Sequence, residues 1–153
     1  MSLPSGHPLA LPPGPVELVL EIDVRAPAGR IWELLVDFRG WPGLHRGVAF
    51  AHHEGELAPG GRLLWRADGM RIRSEFLEVE AERHLALSLR TIGAKGIHRW
   101  SLAPDPVSGL TLLRSEEVWD GLAPRFLRRT LLRTLRVSRT AWLEALRERA
   151  ESD

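Results

Sequence analysis

"LAPRFLRRTLLRTLRVSRTAWLEALR", residues 122–147, decides the fold. Leu127, Leu131, Leu135, Trp142, Ala145 and Leu146 recur with a period near 3.6 and share one face. Arg125, Arg129, Arg133, Arg136 and Arg147 gather on the other. Pro124 is tolerable because it falls in the first turn. The spacing predicts one amphipathic helix from Leu122 to the end. At ~1.5 Å per residue it is roughly 40 Å long, enough to cross a whole sheet. Leu132 and Leu143 flank the arginines and are expected to leave a small apolar edge.

Upstream of that helix the period is two. "VELVLEIDV", residues 16–24, alternates apolar and polar, which is the signature of a half-buried strand. Strands fit again at 48–54, 61–67, 70–80, 83–91, 95–103 and 109–119. Their connections carry turn chemistry, with Asp68-Gly69 the strongest hairpin signal. Between the first strand and the rest, Ile31, Leu34, Leu35 and Phe38 predict a short helix over 27–38. Trp41-Pro42 then interrupts it, because the residue before proline is pushed out of the helical region. A second short helix is expected near Gly43 to Arg46. Asp37 is expected to cap the next turn with its side chain. Trp41 then plugs the core beneath that turn or stands at a pocket mouth. Antiparallel strands with one open apolar face need a cover, and the C-terminal helix is the element able to supply it.

Composition excludes several chemistries. The chain has 153 residues, which fits one domain. Residues 1–15, "MSLPSGHPLALPPGP", read as a disordered or extended lead-in with no signal-peptide pattern, and 16–151 as a single domain. Cysteine is absent, so disulfides, thiolate nucleophiles and cysteine-held zinc are excluded. That fits a cytoplasmic protein. No phosphate loop, dinucleotide fingerprint or G-x-S-x-G elbow occurs, and no cofactor is expected. Adjacent His52 and His53 point apart on a strand, and no His-x-x-x-His spacing appears, so no metal is expected. Tyrosine is absent, which removes a phenolic acid or oxyanion donor. The net charge of +1 demands no polyanion, although eight arginines and two acids lie between Leu122 and Arg149. No aromatic residues interleave with the stripe of Arg125, Arg129, Arg133 and Arg136 on its face, and nucleic-acid binding is not expected.

Further residues carry a resemblance. They are Ala26-Pro27, Ile31-Trp32, Leu35, Asp37 with Trp41-Pro42, Gly61 with Leu63 and Trp65, and "HRWSL" at 98–102. Gly109 with Thr111, Glu117, Gly121 and the ending "WLEALRERAE" complete it. Over about residues 16–151 the chain resembles the START-like (SRPBCC) superfamily, within it the polyketide cyclase/dehydrase-like group. The resemblance implies an α+β helix-grip fold, START-like and Bet v 1-like. Its curved antiparallel sheet of about seven strands wraps around a long C-terminal helix, with two short helices after strand 1. It also implies a hydrophobic ligand (a lipid, a polyketide-like or an aromatic molecule) held between sheet and helix.

Strand alternation selects the side chains that would face such a ligand. They are Trp65, Ile72, Ser74, Phe76 and Leu87 on the middle strands, then His98, Trp100, Thr111, Leu113, Ser115 and Glu117. Leu131 and Leu135 face them from the helix, and Thr91 is a further polar candidate. Glu116 and Glu117 are neighbours on a strand, so only Glu117 can serve the pocket. A carboxylate buried there needs a partner such as His98. Three functions follow as expectations. The first is a binder or carrier of a hydrophobic small molecule. The second is a cyclase/aromatase-like enzyme using His98 and Glu117 as catalytic acid and base. The third is an interaction module docking through the arginine face of the helix. A homodimer or a membrane contact through the apolar edge is a lesser expectation.

Overall fold

Seven strands form one antiparallel sheet in the order β1-β7-β6-β5-β4-β3-β2. The computed structural model describes residues 10–152, so most of the expected lead-in, residues 1–9, lies outside the described residues. The strands are β1 (Val16–Val24), β2 (Val48–Glu54), β3 (Arg62–Ala67), β4 (Met70–Glu80), β5 (His84–Thr91), β6 (Ala94–Pro104) and β7 (Thr111–Asp120). β2 through β7 are a meander, each pairing with the next. β1 closes the sheet at the far side, pairing Val16 with Trp119 and Val24 with Thr111. Side-chain alternation is kept along β3, where Leu63, Trp65 and Ala67 are buried and Arg62 and Arg66 exposed. A bulge between Phe76 and Glu78 ends it late in β4: Leu77 still faces outward with Arg73 and Glu75, and beyond it Glu78 and Val79 are both half-buried.

Asp68 and Gly69, with φ of 53° and 79°, make the two-residue β3–β4 turn. Both take positive φ, as a type I′ hairpin requires, and the Asp-Gly pair is suited to it. This turn fixes the position of the Asp68 carboxylate.

After β1 come α1 (Ala28–Val36), a 3₁₀ turn (Phe38–Gly40) and α2 (Trp41–Leu44). Two expectations about this segment are corrected. The second helix starts at Trp41 rather than near Gly43, and Trp41 is itself helical despite Pro42. The cost of that conformation is outweighed by burial of the indole, which is fully enclosed and donates Nε1–H to the Leu35 carbonyl at 3.1 Å. Asp37 does not cap with its side chain. Its main-chain carbonyl accepts the Gly40 N–H at 3.0 Å instead.

The C-terminal helix is also corrected. It is two helices, α3 (Leu122–Phe126) and α4 (Arg128–Glu151), with a bend at Leu127. α3 is pinned sideways because Ala123 N–H donates to the Gly93 carbonyl on the β5–β6 turn. α4 must run along the sheet, and Leu127 takes up the change of direction with φ −114° and ψ 29°. As a result Leu127 is exposed rather than inward, and Leu131 is only half-buried. Leu143, expected on a surface edge, is buried. Gly121 at the α3 boundary has φ of 121°, and a Cβ there would press on the Gly93 carbonyl oxygen.

The core lies between the concave face of the sheet and α4, closed at one end by α1 and α2. Its middle is aromatic. The Trp41 ring meets Trp142 at 4.9 Å and Trp65 at 5.4 Å, both edge-on. Trp100 lies 5.6 Å from Trp142. Such edge-to-face pairs add to the burial of large apolar area.

Candidate functional site

One polar cluster crosses this aromatic core. Its centre is Arg139, on α4, with 1% of its surface exposed. Arg139 donates Nε–H to Glu117 Oε2 at 2.7 Å and Nη2–H to Glu117 Oε1 at 3.0 Å. This is a bidentate fork on a carboxylate of β7 that is equally buried. Nη1–H reaches Asp68 Oδ2 at 3.0 Å. Ser138 donates its single hydroxyl proton to the same Asp68 carboxylate, at 2.9 and 3.0 Å. His45 Nε2 lies 3.0 Å from the Ser138 oxygen. Ser138 has spent its proton, so His45 is the donor in that contact. On the other side of Glu117, Trp119 donates Nε1–H to Oε1 at 3.2 Å.

His98 is directly opposite Glu117 in the β6–β7 ladder. Its Nε2 is 2.7 Å from Ser115 Oγ, and its Nδ1 is 3.8 Å from Glu117 Oε1 without a hydrogen bond. The carboxylate favours a proton on Nδ1, which leaves Nε2 to accept from Ser115. The imidazole stacks on Trp100 with centroids 3.6 Å apart. Trp142 Nε1 also has no hydrogen-bond partner among the described residues. The Trp142 ring lies 6.3 Å from the His98 ring and 5.7 Å from Arg139 Cζ, so both side chains with an unbonded polar atom border the charge pair.

The electrostatics follow from burial. Burial disfavours the His98 cation and pushes its pKa down to about 3, against the pull of Glu117 and with the help of Arg139. Burial alone would raise the Glu117 pKa, but attraction to Arg139 and His98 and the hydrogen bonds outweigh it and hold the carboxyl below its usual range. His45 is also pushed down, first by burial. At neutral pH the cluster is thus a neutral imidazole, an ionised glutamate and a guanidinium.

The side chains expected to line a pocket are distributed as follows. Trp65, Ile72, Leu87, His98 and Leu113 expose none of their surface. Phe76, Trp100, Thr111 and Glu117 expose 1%, Ser115 3%, Ser74 6% and Leu135 none. A void able to hold a ligand would leave its lining accessible to water, so these side chains pack directly on one another here. Ser74 accepts the Trp65 Nε1–H at 3.0 Å, and Thr111 donates to the Ala26 carbonyl at 2.7 Å, which places Thr111 at the α1 end, away from the cluster. Thr91 lies half-buried at the opposite end of the sheet.

Sequence reasoning missed Arg139, Ser138, Asp68 and His45. Arg139 follows Leu135 by four positions and precedes Trp142 by three, so helical phase alone places it on the inward face. Asp68 and His45 carry no comparable signal, since they meet Ser138 across 70 and 93 residues of chain.

A family-level match described as "Polyketide cyclase / dehydrase and lipid transport" spans residues 15–151. The chain belongs to that family. No curated protein matches it. Among solved structures, a hypothetical protein from Helicobacter pylori superposes with a TM-score of 0.82 at 15% identity, covering 98% of this chain and 100% of its own. A START superfamily protein from Mycobacterium smegmatis gives 0.71 at 16% identity, with coverage of 88% and 97%. The Zhui aromatase/cyclase from Streptomyces sp. R1128 gives 0.72 at 16% identity, with coverage of 88% and 93%. These likenesses establish the START-like helix-grip fold. No helix among the described residues is long and apolar enough to cross a membrane.

Proposed function

We propose that the protein binds a hydrophobic small molecule between the concave sheet face and α4. The Glu117–Arg139 pair, His98 and Trp142 recognise an oxygen function at the buried end of that molecule. The observation that carries this reading is the pair of unpartnered buried atoms, His98 Nδ1 and Trp142 Nε1, beside a fully buried ion pair. An ion pair of this kind adds little to stability over well-packed apolar residues. Its donors and acceptors are instead suited to a carbonyl, hydroxyl or carboxylate presented by an otherwise apolar ligand. Trp65, Phe76, Trp100 and Leu113 would contact the apolar body.

Binding must displace packing, and one part of the cover is loosely held. No residue of α4 before Leu135 is buried, whereas Trp142, Leu143, Leu146 and Ala150 anchor its C-terminal half. The N-terminal half is the segment that yields. Proton transfer by His98 and Glu117 is the weaker alternative, because a general acid or base works best near the operating pH and His98 is far below it.

Mass spectrometry of a solvent extract of gently purified protein, with native mass spectrometry of the same sample, tests this reading. A stoichiometric apolar molecule bearing an oxygen function is the expected result. An empty protein whose tryptophan fluorescence is unchanged by fatty acyl, aromatic and polyketide-like compounds would overturn it. Loss of binding in Arg139→Lys with an intact fold would tie the affinity to the guanidinium fork.

A further inference from the structure

We propose that the end of the fold formed by the β5–β6 turn and α3 docks on an anionic lipid bilayer. Ile92, at the tip of that turn, is 99% exposed. Phe126 and Leu122, on α3, are 82% and 69% exposed. The Ala123-to-Gly93 hydrogen bond fastens the two elements side by side, so the three apolar side chains project from one end of the molecule. Isolated exposed apolar residues are ordinary, but a cluster at one end marks a contact surface.

The outer face of the sheet beside this tip is basic by register. Arg73 pairs with Arg90, and Arg90 with Lys95, in one row across three strands that ends on Asp120 opposite Lys95. Arg66 pairs with Arg71 in the next row. All five side chains are exposed, and none forms a salt bridge among the described residues. Like charges directly opposite on neighbouring strands are destabilising. Their accumulation at one corner calls for an anionic partner. A groove of about 680 Å³ lined by Gly69, Met70, Arg71, Arg73, Arg90 and Ile92 runs along this corner and suits a phosphate headgroup. Arg129, on the first turn of α4 that follows α3, is a further exposed charge.

An apolar tip with basic flanks is the arrangement of a protein that lies on a bilayer, side chains in the acyl boundary and cations at the headgroups. A second copy of this chain would bring the same charges into opposition. A nucleic acid would use the arginines and leave Ile92 and Leu122 without a partner. The inference stands whether or not the interior binds a ligand.

The test is flotation of the full chain with phosphatidylglycerol-containing vesicles and with pure phosphatidylcholine vesicles, at low and high salt. Association with the anionic vesicles alone, weakened by salt, is expected. Arg73→Ala with Arg90→Ala should weaken it roughly 30-fold, from ~1 kcal/mol per surface cation. Ile92→Asp with Phe126→Asp should abolish it while the unfolding temperature stays unchanged. Failure to associate with anionic vesicles, or association that survives the two aspartates, would overturn the proposal. Salt-sensitive binding to transfer RNA that survives the aspartates, without vesicle binding, would assign the basic rows to a polyanion instead.

Discussion

Arg139→Met is the most informative single perturbation of this protein. The change keeps most of the side-chain volume and removes the charge. It leaves Glu117, 1% exposed, with one remaining donor, Trp119 Nε1 at 3.2 Å. Removing one partner of a buried ion pair costs about 3–5 kcal/mol, because the other charge is left uncompensated. Asp68 loses a bond as well, but its side chain keeps 11% exposure and Ser138 still donates to it, so its share is small. The deficit should depend on pH with a known sign. In the wild type Glu117 is held below its unfolded value, so its contribution is present above about pH 4.5 and lost as pH falls through the folded value. Without Arg139 burial dominates and the folded value rises above the unfolded one. The penalty is then full at neutral pH and shrinks in acid. Urea unfolding followed by tryptophan fluorescence at pH 7 and pH 5 measures both effects. Glu117→Gln placed on top of Arg139→Met should recover about 2 kcal/mol or more at pH 7. A cost below about 1 kcal/mol for the single change, or no recovery in the double, would refute the assignment of a buried Arg139–Glu117 pair.

Other outcomes follow from the same geometry. Wild-type stability should fall in acid. The folded His98 pKa is about 3 against an unfolded value near 6.5, so its contribution is full above pH 6.5 and decreases below it, by about 2.5 kcal/mol at pH 4.5. His98→Gln should flatten that slope, and an unchanged slope would contradict a buried neutral imidazole. Gly96→Ala should destabilise by about 1–3 kcal/mol, since a Cβ there meets the Val118 carbonyl on the paired strand; an unchanged urea midpoint would count against the β6–β7 spacing. Amide hydrogen exchange should be faster over residues 128–134 than over 138–150, because burial in α4 begins only at Leu135. Uniform protection along α4 would remove the argument that its N-terminal half yields to a ligand.

Most of the architecture is legible because it rests on period. Alternation on β3, β4 and β7 fixes which side chains face α4, and the Asp68-Gly69 turn fixes the β3–β4 register. The helix break at Leu127 is not legible, since it comes from α3 being tied to the β5–β6 turn, a contact 30 residues apart in the chain. Trp41 defies the local rule before proline because tertiary burial outweighs it. The site is half legible. His98 and Glu117 follow from strand phase. Arg139 was hidden by the assumption that a cation on an amphipathic helix faces water, although its phase says otherwise. The basic rows needed register: Arg73, Arg90 and Lys95 are unremarkable in sequence and become neighbours only through pairing.

The polar cluster and the docking end bear on one another through α4. Asp68 sits on the β3–β4 turn, at the same end of the sheet as Ile92 and α3, and it holds both Ser138 and Arg139. The buried charges are thus fastened to the end of the fold where Ile92, Leu122 and Phe126 are exposed and where the helix is least buried. A domain built for stability alone would gain nothing from an ion pair threaded through tryptophans, because apolar residues of the same volume do as well. Ser138 and Arg139 lie just past the loosely covered start of α4, where its burial has begun, and that placement has a consequence. The Asp68–Ser138 and Asp68–Arg139 contacts tie the middle of α4 to the β3–β4 turn, directly after the segment with no buried residue. The helix that closes the core therefore also carries the centre of its polar cluster, Arg139, at the point where its covered part begins.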